Sequence, residues 1–113
     1  PEMLRALWKR AKRAGTEHQI VIHLCKADSI GLNMQFDFVL AFWMVHEVPN
    51  QLAFFKEIKS ILKPSGKFLL SEPVLHVNQA MYENTVKTAE SAGLVLKGKP
   101  KISLSRSALF AAN

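Results

Sequence analysis

The chain has 113 residues, 49% of them hydrophobic, which is enough for one packed core and too apolar for a disordered tail. Lys and Arg number 15 against 9 Asp and Glu, and the formal charge of +6 admits nucleic acid, an anionic membrane or an acidic partner without choosing among them. The longest apolar run, residues 38–45, is far short of the roughly 20 residues of a membrane span, and no apolar signal stretch opens the chain, so a soluble, cytoplasmic protein with no membrane partner is expected.

In chain order, Met3, Leu4, Leu7, Ala11 and Ala14 recur at helical spacing behind Pro1, whose missing N–H costs nothing in a first turn, and Gly15 supplies a stop. Arg5, Lys9, Arg10, Lys12 and Arg13 share this helix and read as its solvated face. A nucleic-acid platform is not favoured, because Trp8 is the one aromatic among them. Residues 20–24, IVIHL, are apolar and β-branched with no helical period and read as a strand that ends at CKADS. The single cysteine in that ending, Cys25, excludes an internal disulfide and a cysteine-based zinc site, and is expected to be a small buried hydrophobe.

Residues 36–44, FDFVLAFWM, read as a second strand. Asn50 then caps a helix whose Leu52, Phe55, Ile58 and Leu62 face inward until KPSG breaks it, and residues 67–71 form the third strand. A helix over 78–92 presents Tyr82, Val86 and Ala89 on one face and stops at Gly93. Residues 94–96 and 102–104 are expected as pieces of one strand interrupted around Gly98 and Pro100, pairing antiparallel with a last strand at 106–112. The pattern predicts a single α/β domain: a Rossmann-like, mostly parallel sheet, helices on both faces and a closing antiparallel hairpin.

Ligands of such sheets bind at the carboxyl ends of the strands. That edge gathers Asp28 and Ser29, then the stretch from Phe42 to Glu47, then Glu72, Pro73 and His76. His46 and Glu47 invite a metalloprotease reading, but position 50 is Asn and Pro49 interrupts any helix there, so the H-E-x-x-H motif fails. His46, Glu72 and His76 also permit a metal, yet Glu-Pro after a strand is commonly loop geometry, and no metal is assigned.

FDFVLAFWMVHEVPN resembles the fourth strand and following loop of the class I S-adenosylmethionine-dependent methyltransferases. FFKEIKSILKPSGKFLLSEP resembles the family's next helix, its L-K-P-G-G turn with Ser65 replacing one glycine, and its fifth strand. AESAGLVLKGKPKISLSRSALFAAN resembles the last helix and closing pair. The resemblance covers essentially the whole chain. The family's Gly-rich cofactor loop and its ribose-binding acid have no counterpart, since the five glycines form no G-x-G pair. The resemblance therefore implies a C-terminal portion of one methyltransferase domain, residues 1–113, with the first two strands missing, and with exposed strand edges through which copies of the chain could associate.

It further implies methyl transfer from S-adenosylmethionine to a small-molecule acceptor. Asp28 and Ser29 would meet the adenine, although an Asp-Ser turn or cap accounts for them equally well without the fold. Ala41, Phe42 and Trp43 would border the methionine and sulfonium part, with core packing the plainer reading for Phe42. His46, Glu72 and His76 would line the acceptor pocket, one of them taking the acceptor's proton. The alternative is a non-catalytic module on the same scaffold that uses a basic face on RNA or protein.

Overall fold

The computed structural model describes residues 1–26 and 28–113; Ala27, in the expected loop after residues 20–24, lies outside the described residues. Helix α1 (Glu2–Ala14) is followed by a 3-10 turn, strand β1 (Phe36–Phe42), a second 3-10 turn at Val45–Glu47, helix α2 (Gln51–Ile61), strand β2 (Leu62–Pro73), helix α3 (Gln79–Ser91), strand β3 (Val95–Gly98) and strand β4 (Ser105–Ala111). Local chemistry sets several boundaries. The Asn50 and Asn78 side chains accept the N–H groups of Ala53 and Met81, so both α2 and α3 start at an asparagine cap. Gly15 and Gly93 sit at φ 73° and 98°, left-handed positions that end α1 and α3.

The sheet order is β1-β2-β4-β3. β1 runs parallel to β2, while β4 pairs antiparallel with both β2 and β3. The closing hairpin is as expected, but the sheet is mixed, because residues 20–24 join no ladder. The backbone leaves the first turn extended at Ile20 (φ −121°, ψ 128°) and finds no neighbouring strand for its amides. Val21 is 94% exposed, and Cys25, expected inside, is exposed for the same reason. Residues 102–104, expected in a strand, form a turn closed by the Ser105 N–H on the Ile102 carbonyl, where Leu104 adopts φ 56°.

Strand alternation divides the sheet's side chains between two faces. Val39, Ala41, Phe68, Leu70, Ala108 and Phe110 belong to one face and enter a single core with Phe55 and Ile58 of α2 and Tyr82, Val86 and Ala89 of α3. The rings of Phe55, Phe68 and Phe110 stand about 6 Å apart in sequence across the layers. The other face presents Phe38, Leu40 and Phe42 half-exposed. The helix layer expected there is not formed by the described residues: α1 packs against its own following turn and lines a groove with Ile20, Val21 and Ile22, leaving Met3 exposed. Leu52, expected inward, is also exposed.

β2 begins directly where α2 ends. Phe36 pairs with Leu62 and Phe38 with Lys67, so residues 63–66 bulge out of the ladder. A Cβ on Gly66 would meet the Phe36 carbonyl oxygen at 2.9 Å and that of Lys63 at 3.0 Å, which reserves this position for glycine.

Beneath α3, the buried Tyr82 hydroxyl donates to the Ser107 carbonyl at 2.7 Å. Burial raises its pKa above the ordinary 10.0, and the charge of Arg106 opposes that rise only in part. The folded state thus holds the phenol proton more tightly than the unfolded chain. The associated stability is fully present below pH ~10 and declines as pH rises through the folded value. Tyr82→Phe is expected to cost about 0.5–1.5 kcal/mol at neutral pH and to remove this part of the alkaline decline, as read by urea unfolding at a series of pH values. An unchanged alkaline limb would show that the phenol does not contribute to it.

Candidate functional site at the carboxyl edge of the sheet

β1 ends two residues earlier than the expected strand over 36–44 because Trp43 turns into the left-handed region, φ 56°. A non-glycine residue there costs roughly 1–2 kcal/mol. Three contacts hold it. The Trp43 backbone N–H donates to the Ser71 carbonyl at 2.7 Å, the indole N–H donates to Ser105 Oγ at 2.8 Å, and the ring stacks on Phe42 with centroids 5.0 Å apart and planes within 10°. Phe42 and Trp43 thereby form a half-exposed aromatic pair at the strand end. Ala41, the third residue expected here, has its side chain buried in the core, so only its backbone can face a ligand.

Next to this pair, on β2, Glu72 is fully buried. Its Oε1 accepts the Val45 N–H at 3.1 Å; its Oε2 accepts the His46 N–H at 2.9 Å and meets His46 Nδ1 at 3.1 Å. The two amides open the Val45–Glu47 turn and have no partner within it, so the carboxylate acts as that turn's cap. An ionised carboxylate only accepts, so this contact requires a proton on Nδ1; in the neutral ring Nε2 is then the acceptor nitrogen. Nε2 lies 3.9 Å from the exposed Glu47 carboxylate. The His76 ring stacks on that of His46, centroids 6.0 Å apart and planes within 6°. The structure thus brings His46, Glu72 and His76 together in graded order: Glu72 sealed beneath, His46 partly covered, His76 exposed. Among the described residues no group of three His, Cys, Asp or Glu side chains is arranged to hold a metal ion.

Asp28 and Ser29 lie on a separate loop before β1. The loop is closed by hydrogen bonds between the backbones of Lys26 and Ser29 and pinned to α2 by the Ile30 N–H on Glu57 Oε2 at 2.8 Å. It forms a pocket with Met44, Pro49, Asn50 and Phe54. An adjoining groove bordered by Leu40 and Ala41 shares Met44 and Phe54 with it, so one cleft runs from Asp28 toward the β1 end. Sequence reading missed Glu57 and Ser105. Glu57 stands three residues after Phe54 and four before Ile61, on the flank of the helix's buried stripe, a position that could have marked it. Nothing local distinguishes Ser105 from Ser103 or Ser107.

Strand order, hairpin and edge geometry define a Rossmann-like α/β sheet whose carboxyl edge carries the candidate site. Residues 1–70 match the family model described as "Methyltransferase domain", and the chain belongs to that family. No curated protein matches the sequence. Among solved structures, a SAM-dependent methyltransferase from Aquifex aeolicus superposes with TM-score 0.82 at 18% identity over 99% of this chain. One from Clostridium acetobutylicum gives 0.80 at 11% over 97% of this chain and 71% of its own. An O-methyltransferase family 2 protein from Planctomyces limnophilus, in complex with apigenin, gives 0.77 at 15% over the whole of this chain and 41% of its own. These likenesses are of fold, and the chain spans 64% of the length of the Aquifex protein.

Glu72→Gln replaces one acceptor oxygen with an amide that faces N–H donors. It is expected to cost about 1.5–3 kcal/mol in urea unfolding and to accelerate hydrogen exchange at the Val45 and His46 amides. Unaltered protection of those two amides would mean that the carboxylate does not hold the turn.

Proposed function

We propose that this chain supplies the acceptor-facing part of an S-adenosylmethionine-dependent methyltransferase acting on a small molecule. The observation that carries the reading is the His46 imidazole at the end of β1, its Nδ1 held 3.1 Å from buried Glu72, an arrangement that in the neutral ring leaves Nε2 as an acceptor.

The residues present fit the cofactor at its adenine and sulfonium ends. The apolar cleft carries the Asp28 carboxylate at one end, suited to an exocyclic amine, while the Ser29 backbone N–H beside it is given to the Lys26 carbonyl at 3.4 Å. The Phe42 and Trp43 faces suit a cation. Bound there, S-adenosylmethionine supplies an electrophilic methyl group on a positively charged sulfur. Methyl transfer needs mainly in-line alignment, so the rigid strand ends and the restrained Trp43 contribute through positioning. His46 Nε2 takes the acceptor's proton, Glu72 stabilises the resulting imidazolium without itself reaching the acceptor, and His76 flanks the imidazole.

In the gene product that contains this chain, His46→Ala is expected to lower turnover about 10²–10⁴-fold while cofactor affinity stays nearly unchanged. A loss of turnover only in step with thermal stability would make His46 a structural residue. Asp28→Ala is expected to weaken cofactor binding by about 1.5–3 kcal/mol in titration calorimetry with acceptor selectivity retained; unchanged affinity would remove the adenine assignment.

A further inference from the structure

A second pocket opens on the same edge, between the start of α3 and the loop joining β3 to β4, where Lys99, Lys101 and Arg106 converge with Tyr82, Ile102 and Ser105. Arg106 is held in a fixed orientation: its Nε donates to the Val77 carbonyl at 2.9 Å and one terminal nitrogen donates to Gln79 Oε1 at 2.9 Å. The other terminal nitrogen has no hydrogen-bond partner among the described residues. None of the three cations forms an ion pair there, and no Asp or Glu lines the pocket. Two acids on neighbouring elements are already engaged. Glu72, opposite Arg106 in the β2–β4 ladder, turns to the Val45 and His46 amides, and Glu83 accepts from Gln79 Nε2 at 3.1 Å.

Two connections tie this pocket to the candidate active site. Ser105 lines it and accepts the Trp43 indole N–H, while Val77, which orients Arg106, follows His76 directly. We propose that the pocket formed by Lys99, Lys101 and Arg106 binds an anionic group, carboxylate or phosphate, of the small-molecule methyl acceptor and so sets which acceptors are used. This rests on the methyl-transfer reading for the word acceptor, but the anion site itself stands on geometry. A pre-oriented guanidinium with a vacant donor, two exposed ammonium groups and the apolar Ile102 side chain fit the head and body of a small anionic molecule. Lys99 and Lys101 are exposed and Arg106 is partly covered, a compact cluster whose lining has Tyr82 as its one aromatic among the described residues; this suits a small anion better than a polynucleotide, whose backbone tracks a long groove with stacking aromatics.

The test is titration of the full chain followed by amide NMR, with inorganic phosphate in one arm, benzoate in a second and an oligouridylate in a third. Saturable shifts centred on Lys101, Ser105 and Arg106 with phosphate or benzoate, weakened about fivefold or more in a Lys99→Ala/Lys101→Ala variant of unchanged thermal stability, are expected. The arm that saturates at the lower concentration identifies phosphate or carboxylate as the group. Absence of saturation in both small-anion arms, equal affinity in the variant, or shifts from oligouridylate spread along α1 at far lower concentration would overturn the proposal. Because no methyl transfer is measured, failure here leaves the methyltransferase reading standing, and failure of cofactor binding leaves the anion site standing.

Discussion

A carboxylate with no exposure to water sits at the end of a strand and survives there because three N–H donors converge on it. An isolated charge in such a place would cost several kcal/mol, and Glu72 offsets that by accepting from Val45, His46 and the His46 ring. The consequence is mechanical as well as electrostatic. β1 and β2 are joined by their ladder, and the Glu72 bonds carry that rigidity past the ladder into the turn where His46 stands. The same carboxylate holds the His46 ring by its Nδ1. A group that stabilises the loop and one that prepares an acceptor for a proton are here one side chain.

Around this anchor the aromatic end of β1 has its own constraints. Trp43 is kept in a costly backbone conformation by a bond to β2, a bond to β4 and a stack on its neighbour, so its position depends on three strands at once. Ser105 then belongs to two environments, the indole on one side and the basic pocket on the other. An acceptor seated against Arg106 would accordingly lie one hydrogen bond from the aromatic pair.

Those features that depend on short stretches of chain were legible in the sequence. Asn50 as a cap, Gly15 and Gly93 as stops, the Tyr82–Val86–Ala89 face and the grouping of His46, Glu72 and His76 on one edge all follow from spacing and from the rule for open α/β sheets. Features that require a distant partner were not. Residues 20–24 have strand composition, but composition supplies no neighbour, and without one the segment stays extended, with Val21 and Cys25 in solvent. The apolar positions of α1 likewise reveal a face without revealing what it packs against. Trp43 belonged to an apolar run whose continuation as strand was the natural reading; its reversal is fixed by Ser71 and Ser105, far along the chain.

The bulge at residues 63–66 has a consequence for how this region can vary. Between the Phe36/Leu62 and Phe38/Lys67 pairings the chain advances two residues on one strand and five on the other, an odd excess. Residues 63–66 stand outside the ladder, so the alternation of β2 is set anew at the Phe38/Lys67 pair, and from there it places Ser71 on the Phe42 face and Glu72 beneath the turn. A one-residue slip of that pair, rather than a change within the bulge, would exchange Ser71 and Glu72 between the two faces. Gly66, whose approach to the Phe36 carbonyl admits no side chain, is where the chain re-enters that register, so variation in this turn falls on the residues before it.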